Sequence, residues 1–380
     1  MSEQPIRVLH ILNGILGGAE VVAYNYYRQM DTTKIQFDFV IHEGTVSQVP
    51  DDVKSLGCKI YEIPPYSHPF KYIATIRKIC KKGRYKIVHS HMNAMSVFPL
   101  YAAKKASVPV RIAHSHSTSG KGEYKKDLVK NILRPFSKLF PTHLFACSEH
   151  AGRWLFGNKT FDVGKVTIIR NAIDVEKFRF NPKTRAMVRK DLGLEDKFVI
   201  GHVGRFMTQK NHTFLLEIFA EILKIRKDSH LIMVGDGELK KESEEKVQKL
   251  GINKNVSFLG MRDDVSVLYT GMDTLVLPSL YEGLPLVGVE AQCAGLPCVF
   301  SEDITKETIT CGSAETMPLE AGAEAWAKKI IEKAMFYDNS NEMEYCRRIE
   351  QSIFVTDLWN IRSEANKLQK LYQTAWSNPV

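Results

Sequence analysis

A chain of 380 residues is too long for one ordinary hydrophobic core and implies two domains of roughly 180 residues each. With 44% apolar and 10% aromatic residues it reads as a globular protein. No run approaches the ~20 apolar residues of a membrane span, and the Met1 to Pro5 start lacks the basic and apolar regions of a signal peptide, so a cytoplasmic protein is expected.

From the N-terminus, residues 6–12 read as an apolar strand. Gly17, Gly18 and Glu20 follow on a turn that enters a helix rich in Val, Ala and Tyr. Further strands are predicted at 36–41, 59–63, 85–90, 108–113 and 141–146, and this half closes near 167–178. The pattern repeats at 198–203, 229–235, 256–259, 274–278 and 297–300, with helices over 211–226 and 239–250. Short apolar strands alternating with helical stretches predict two α/β domains, each a parallel, doubly wound sheet. The join falls in the polar, charged residues 171–192. Domains over 1–178 and 179–355 are expected, followed by a C-terminal helix over 356–380. That helix carries Leu358, Ile361, Ala365, Leu368, Leu371 and Tyr372 at helical spacing.

The net charge of +9 is unevenly spread: residues 1–180 hold 27 Lys/Arg against 14 Asp/Glu, and residues 181–380 hold 25 against 29. The excess concentrates in Lys71 to Lys86, with seven basic and no acidic residues, and in Lys121 to Lys138, with six basic and two acidic. A charge run is commonly a solvated face. Apolar residues alternate with the charges from Phe70 to Lys82, however, which suits a helix lying on an anionic membrane surface. No zinc finger, helix-turn-helix or aromatic RNA-binding signature accompanies the charge, so no nucleic-acid partner is expected. Seven cysteines, at 58, 80, 147, 293, 298, 311 and 346, fit reduced thiols rather than a disulfide framework. His89, His91, His114 and His116 are crowded, but no acidic or Cys residue near them in sequence supports a zinc site, and no metal is assigned.

Two segments carry the chemistry. Gly204 lets the backbone turn sharply off a strand, and Arg205 and Lys210 then project near a helix N-terminus, which suits two phosphates. Further on, a strand ending at Pro278 runs into Glu282, then Gly283, Leu284, Pro285 and Leu286, and then Glu290 on a helix. Pro285 fits the first helical turn, where its missing N–H is no loss. Two carboxylates beside a positive helix end suit a hydroxyl-rich ligand that carries phosphate, a sugar nucleotide.

The Glu282 to Glu290 segment resembles the E-x7-E signature of retaining glycosyltransferases of glycosyltransferase family 4, of bacterial capsule and exopolysaccharide type. Residues 204–211 resemble that family's G-R-x-x-x-x-K-N element, and Gly17, Gly18 and Glu20 its G-G-x-E element. Gly235 in Val234 to Glu238 resembles another. Asn171 to Asp174 is similar to N-G-[IV]-D, with Ala172 in place of glycine. The resemblance implies the GT-B fold: two Rossmann-like domains facing across a cleft, with a final helix crossing back to the first. It further implies metal-independent transfer of a hexose from a nucleotide diphosphate sugar, UDP-sugars foremost, with retention of configuration and no cofactor. The acceptor is expected to be a glycan or lipid-linked, at the inner face of the plasma membrane.

In that frame Arg205 and Lys210 neutralise the leaving diphosphate, Glu282 holds sugar hydroxyls, and Glu290 holds the ribose. Backbone at Gly235, Met261 and Arg262 lines the base pocket. A histidine contacts the reacting sugar; position favours His116, with His114 the rival. Competing readings are a sugar-nucleotide epimerase of GT-B shape and a non-catalytic sugar-nucleotide-binding subunit. A dehydrogenase is disfavoured because Gly17-Gly18 is not a G-x-G-x-x-G fingerprint.

Overall fold

The structure is a computed structural model, described over residues 4–12, 18–43, 49–116, 124–335, 348–350, 352–353, 355 and 358–378, with side chains from residue 128 onward in the fourth of these stretches. Gly17 lies outside the described residues. The chain divides into two compact units. The first runs to Ile173 and regains the chain from Asn360; the second spans Asp174 to Trp359.

In the first unit, seven strands form one sheet: β1 (Ile6–Ile11), β2 (Ile35–His42), β3 (Ile60–Ile63), β4 (Ile87–Ser90), β5 (Val110–Ser115), β6 (His143–Ala146) and β7 (Val166–Ile168). Their order is β3-β2-β1-β4-β5-β6-β7, and every pairing is parallel. All four residues of β4 are buried, as a strand covered by helices on both faces requires. Buried Asp38 on β2 gathers Arg7 Nε at 2.7 Å, the Tyr85 hydroxyl at 2.6 Å and the Lys59 backbone N–H at 2.6 Å. A buried carboxylate is tolerated when donors satisfy it in this way. The helix Ile361–Ser377 packs on the helix Gly18–Gln29 and buries Ile361, Ala365, Leu368 and Tyr372. The chain's last helix therefore belongs to the first unit.

The second unit holds β8 (Phe198–Val203), β9 (Ser229–Val234), β10 (Val256–Gly260), β11 (Thr274–Leu277), β12 (Cys298–Ser301) and β13 (Ala314–Met317), in the order β10-β9-β8-β11-β12-β13 and again all parallel. One side of the sheet packs on Leu215, Phe219 and Ile222 of the helix His212–Ile225 and on buried Trp326. Asp273, just before β11, takes the guanidinium groups of Arg185 and Arg189 and the Val199 N–H at 2.7 Å. Burial alone would push its carboxyl up, but the two arginines hold it below the usual value.

Strand order reverses between β1 and β4 in one unit and between β8 and β11 in the other. Loops at the carboxyl ends of the strands diverge at such points and leave a crevice, which is where open α/β sheets bind ligands.

Candidate active site

β8 and β11 are neighbours, so the loops leaving their carboxyl ends lie side by side. The β8 loop makes a short turn, Thr208–Lys210, and Asn211 then takes a left-handed conformation (φ 55°) before the next helix. The amide of Asn211 donates to the Pro278 carbonyl at 3.1 Å and ties the loop to the end of β11. Across this seam Lys210 Nζ lies 2.6 Å from Glu282 Oε1. Gln209 Nε2 donates to the other carboxylate oxygen at 3.1 Å and to the Tyr281 carbonyl at 2.9 Å. The Lys210 and Glu282 side chains are only 13% and 11% exposed, so the pair is screened far less than a surface ion pair.

Glu290 sits on the helix Leu286–Cys293. Tyr269 donates its hydroxyl to Glu290 Oε2 at 3.0 Å. Protein atoms crowd this carboxylate although part of its surface still meets solvent. That desolvation pushes Glu290 up to about 7, against the opposing pull of Tyr269 and Lys177. The helix starts at Leu286, one residue later than the first-turn placement of Pro285 expected from sequence; Pro285 is instead the residue before it (φ −72°, ψ 117°). No side chain caps this end and no acidic residue occupies its first turn, so its positive end is not neutralised by a local carboxylate. Leu284 and Leu286 beside it are buried.

Two glycines hold the neighbouring loops together. At Gly235 (φ 137°) a Cβ would stand 2.1 Å from the Gly204 carbonyl, and at Gly237 (φ 156°) 2.4 Å from the Phe206 carbonyl. A Cβ on Gly204 would in turn meet Lys210 Cε at 3.0 Å. These close approaches place the 204–206 and 235–237 loops against each other and against the Lys210 side chain. Arg205 is 46% exposed and only loosely paired with Glu238, at 3.4 Å, so it can be redirected at little cost. Met261 is exposed, and Arg262 is held by Asp264 through two bonds of 2.7 and 2.6 Å.

Sequence reasoning placed Glu282 and Lys210 at one ligand without foreseeing that they pair. It also missed Gln209, Tyr269 and Gly237. Gln209 and Gly237 stand inside segments already marked by their neighbours, whereas nothing in the sequence around Tyr269 marks it.

In the first unit, Gly18 opens the first helix with no atom within 4 Å of its would-be Cβ, so nothing packed against it demands glycine. Glu20 is buried in the first helical turn. Ala172 is buried and not left-handed, so its replacement of glycine costs no strain there. His114 and His116 are both buried near the carboxyl end of β5, their rings 3.9 Å apart between centroids.

The basic helix Pro69–Gly83 spends its apolar stripe, Tyr72, Ile76 and Cys80, in the core and leaves Arg77, Lys78, Lys81 and Lys82 outside. Phe70 at its start is 89% exposed, so the helix offers charge and a single exposed aromatic ring. The second basic segment differs: Leu128, Ile132, Phe136 and Leu139 are 49–61% exposed around Arg134 and Lys138. An open pocket of about 590 Å³ lies beside them, lined in part by Arg134, Lys138 and Phe156. Among the described residues no helix is long and apolar enough to cross a membrane.

This geometry, an ion-paired carboxylate and an uncapped helix end at a strand-order reversal, is the candidate ligand site of an α/β protein of two sheets. The chain belongs to the glycosyltransferases: residues 16–177 match the family model described as Glycosyltransferase Family 4, and residues 184–346 match Glycosyl transferases group 1. It is 36% identical over 342 residues to the putative glycosyltransferase EpsF of Bacillus subtilis strain 168, covering 88% of this chain and 89% of that one. It is 28% identical over 314 residues to the UDP-Gal:alpha-D-GlcNAc-diphosphoundecaprenol alpha-1,3-galactosyltransferase of Escherichia coli, covering 79% and 80%. The GT-B fold is shared with Anabaena HepE, solved in complex with UDP-glucose: TM-score 0.76 at 17% identity over 97% of this chain and 100% of that one.

Proposed function

We propose that this glycosyltransferase moves a hexose from a UDP-sugar to a lipid-linked or oligosaccharide acceptor in cell-surface polysaccharide synthesis, with retention of configuration. The observation that carries the reading is the Lys210–Glu282 pair beside the uncapped Leu286–Cys293 helix and Glu290. The names of the relatives support it: the Escherichia coli enzyme is named for a UDP-Gal donor and a diphosphoundecaprenol acceptor, and the HepE structure contains UDP-glucose.

Lysine has three N–H donors, so Lys210 can keep Glu282 and still face a phosphate. Each Glu282 oxygen likewise retains acceptor capacity for a sugar hydroxyl after bonding Lys210 and Gln209. Glu290 accepts from the ribose hydroxyls. As the bond from the anomeric carbon to the diphosphate oxygen breaks, Arg205, Lys210 and the helix N–H groups stabilise the charge left on that oxygen. The acceptor hydroxyl attacks from the same face, and its proton passes to the departing phosphate. Fixed cations fill the leaving-group role without assigning a metal to the step. By the family resemblance, His116 or its rival His114 contacts the transferred sugar, and backbone at Gly17 and Gly18, with Glu20, contributes to donor binding.

The anionic leaflet is the partner of the segment around Leu128 to Leu139, whose exposed apolar side chains lie among basic ones. This keeps the enzyme where a lipid-linked acceptor is presented.

The test is nucleotide release against a panel of UDP-, GDP- and ADP-sugars, with and without a lipid-diphosphate sugar acceptor. Acceptor-dependent UDP release supports the reading. Donor turnover without any acceptor favours an epimerase, and binding with no turnover favours a non-catalytic subunit.

A further inference from the structure

Five histidines share one face of the first sheet. His10 on β1 pairs in register with His89 on β4, and alternation places His91, and then His114 and His116 from β5, on that same side. A buried parallel sheet normally fills such a face with Val, Ile and Leu. Here the rings bond one another: His10 Nδ1 to His91 Nε2 at 2.9 Å, His91 Nδ1 to His116 Nε2 at 2.8 Å, and His89 Nε2 to His114 Nδ1 at 3.1 Å. His89 Nδ1 reaches the Tyr372 hydroxyl at 2.6 Å. All five are at most 9% exposed.

His10 Nε2, His114 Nε2 and His116 Nδ1 lack a hydrogen-bond partner among the described residues. The Ile169 backbone interacts with His114 and the Asn171 side chain with His116, which offsets part of the cost of burying those two rings. Leaving buried polar atoms unpaired costs about 1–3 kcal/mol each. Such a cluster is a poor way to fill a core and a good way to hold a ligand.

We propose that this cluster binds one divalent transition-metal ion, with His91, His114 and His116 as its ligands. Each offers one nitrogen, and the three nitrogens lie within 4.8 Å of one another. Zinc–nitrogen bonds of about 2.0–2.1 Å put tetrahedral ligands about 3.3 Å apart, so side-chain shifts of about an ångström close the site. Imidazole donors suit zinc, cobalt, nickel or copper and not magnesium or calcium.

Outer partners orient two of the ligands, as metal-binding imidazoles need. His10 bonds His91, and His89, itself on Tyr372, bonds His114. A second triad, His10, His89 and His91, shares His91 with the first, so the cluster takes one ion at a time. The outer triad is the better placed because His116, at 9% the most exposed of the five, lies just past the end of β5, at the carboxyl ends of the strands. Burial penalises a bare dication too. Three metal–nitrogen bonds and an anionic fourth ligand offset that penalty. The sequence argued against zinc for want of acidic or Cys partners; the fold supplies histidines from three strands instead.

One consequence rests on the proposed function: an ion here ties up His114 and His116, so the loaded enzyme transfers sugar more slowly. The ion is an inhibitory ligand and takes no part in the transfer.

The test uses the full-length protein stripped with chelator and titrated with Co²⁺, then Zn²⁺, with no nucleotide sugar present. One equivalent of Co²⁺ with the visible absorption of a tetrahedral site, displaced by Zn²⁺, is expected. His91→Gln and His116→Gln should each weaken binding by about 100-fold or more. If His91→Gln fails to fold, His116→Gln, at the strand end, decides alone. Occupancy below roughly 0.1 ion per chain, or unchanged affinity in His116→Gln, overturns the site. Stoichiometric binding with unaltered turnover upholds the site and overturns its inhibitory consequence. Failure of the stripped enzyme to turn over any donor counts against the proposed reaction and not against the site.

Discussion

Lys210 Nζ and Glu282 Oε1 are 2.6 Å apart, though 72 residues separate them in the chain. With both side chains close to nine-tenths covered, removing one partner strands the other's charge. Lys210→Met is expected to lower stability by about 3 kcal/mol, the low end for breaking a buried pair, and turnover by roughly 10²–10³-fold. The double variant Lys210→Met/Glu282→Gln should regain most of the stability in urea melts and none of the turnover. Recovery of both together would make the pair a structural device only.

Glu290 gives a pH signature. Its carboxyl, pushed up to about 7 in the fold from 4.5, keeps a proton between those values that the unfolded chain has released. Stability conferred by the protonated form is therefore present at low pH and lost as pH rises from about 4.5 to 7, levelling above it. The buried histidines, held below their ordinary value, make stability rise with pH over much of this window in both proteins. The Glu290 step is therefore read as the difference between wild type and Glu290→Gln: the wild-type urea midpoint should fall relative to the variant's as pH rises from 4.5 to about 7. UDP affinity should move the opposite way, strengthening from pH 6 to 8, because ribose hydroxyls donate to the ionised carboxylate. A pH-independent UDP affinity would remove Glu290 from the ribose.

Gly235→Ala places a methyl carbon where the Gly204 carbonyl already stands, 2.1 Å away, on a backbone at φ 137° that alanine rarely adopts. A loss of at least about 1–3 kcal/mol is expected. Since the displaced 204–206 loop carries Arg205, kcat should fall as well. Retained melting temperature and turnover would show that the loop has slack.

Leu128, Ile132, Phe136 and Leu139 are the membrane face to test. The full chain should sediment with vesicles containing anionic phosphatidylglycerol and stay in solution with neutral ones. Raised salt should weaken the binding, because screening shortens the reach of Arg134 and Lys138. Leu128→Asp/Ile132→Asp should abolish it without changing the melting temperature. Equal sedimentation of that variant would return the segment to an ordinary solvated face.

Much of the fold was legible because parallel strands buried on both faces write themselves as apolar runs, as at Phe198 to Val203 and Thr274 to Leu277. The edge strand β13, Ala314–Met317, escaped notice because three of its four residues are only half-buried and Glu315 breaks any apolar run. β7, only three half-buried residues long, read as the close of the first half. At the site, Glu282, Glu290, Arg205 and Lys210 were legible from their setting on strand–turn–helix segments. The contact between Lys210 and Glu282 was not, because it depends on β8 lying next to β11, a matter of strand order and not of local pattern. The histidine cluster was half-visible for the same reason: two crowded pairs in the sequence become five rings only when β1, β4 and β5 align.

The most direct test of the account is the structure of the product made from a UDP-hexose with an α anomeric bond and a lipid-diphosphate sugar acceptor, read by proton NMR at the new anomeric position. The account predicts an α-linked hexose on the acceptor, formed with one UDP released per bond and lost in Glu290→Ala and Lys210→Met. A β-linked product, or UDP release with no new glycosidic bond, would contradict it.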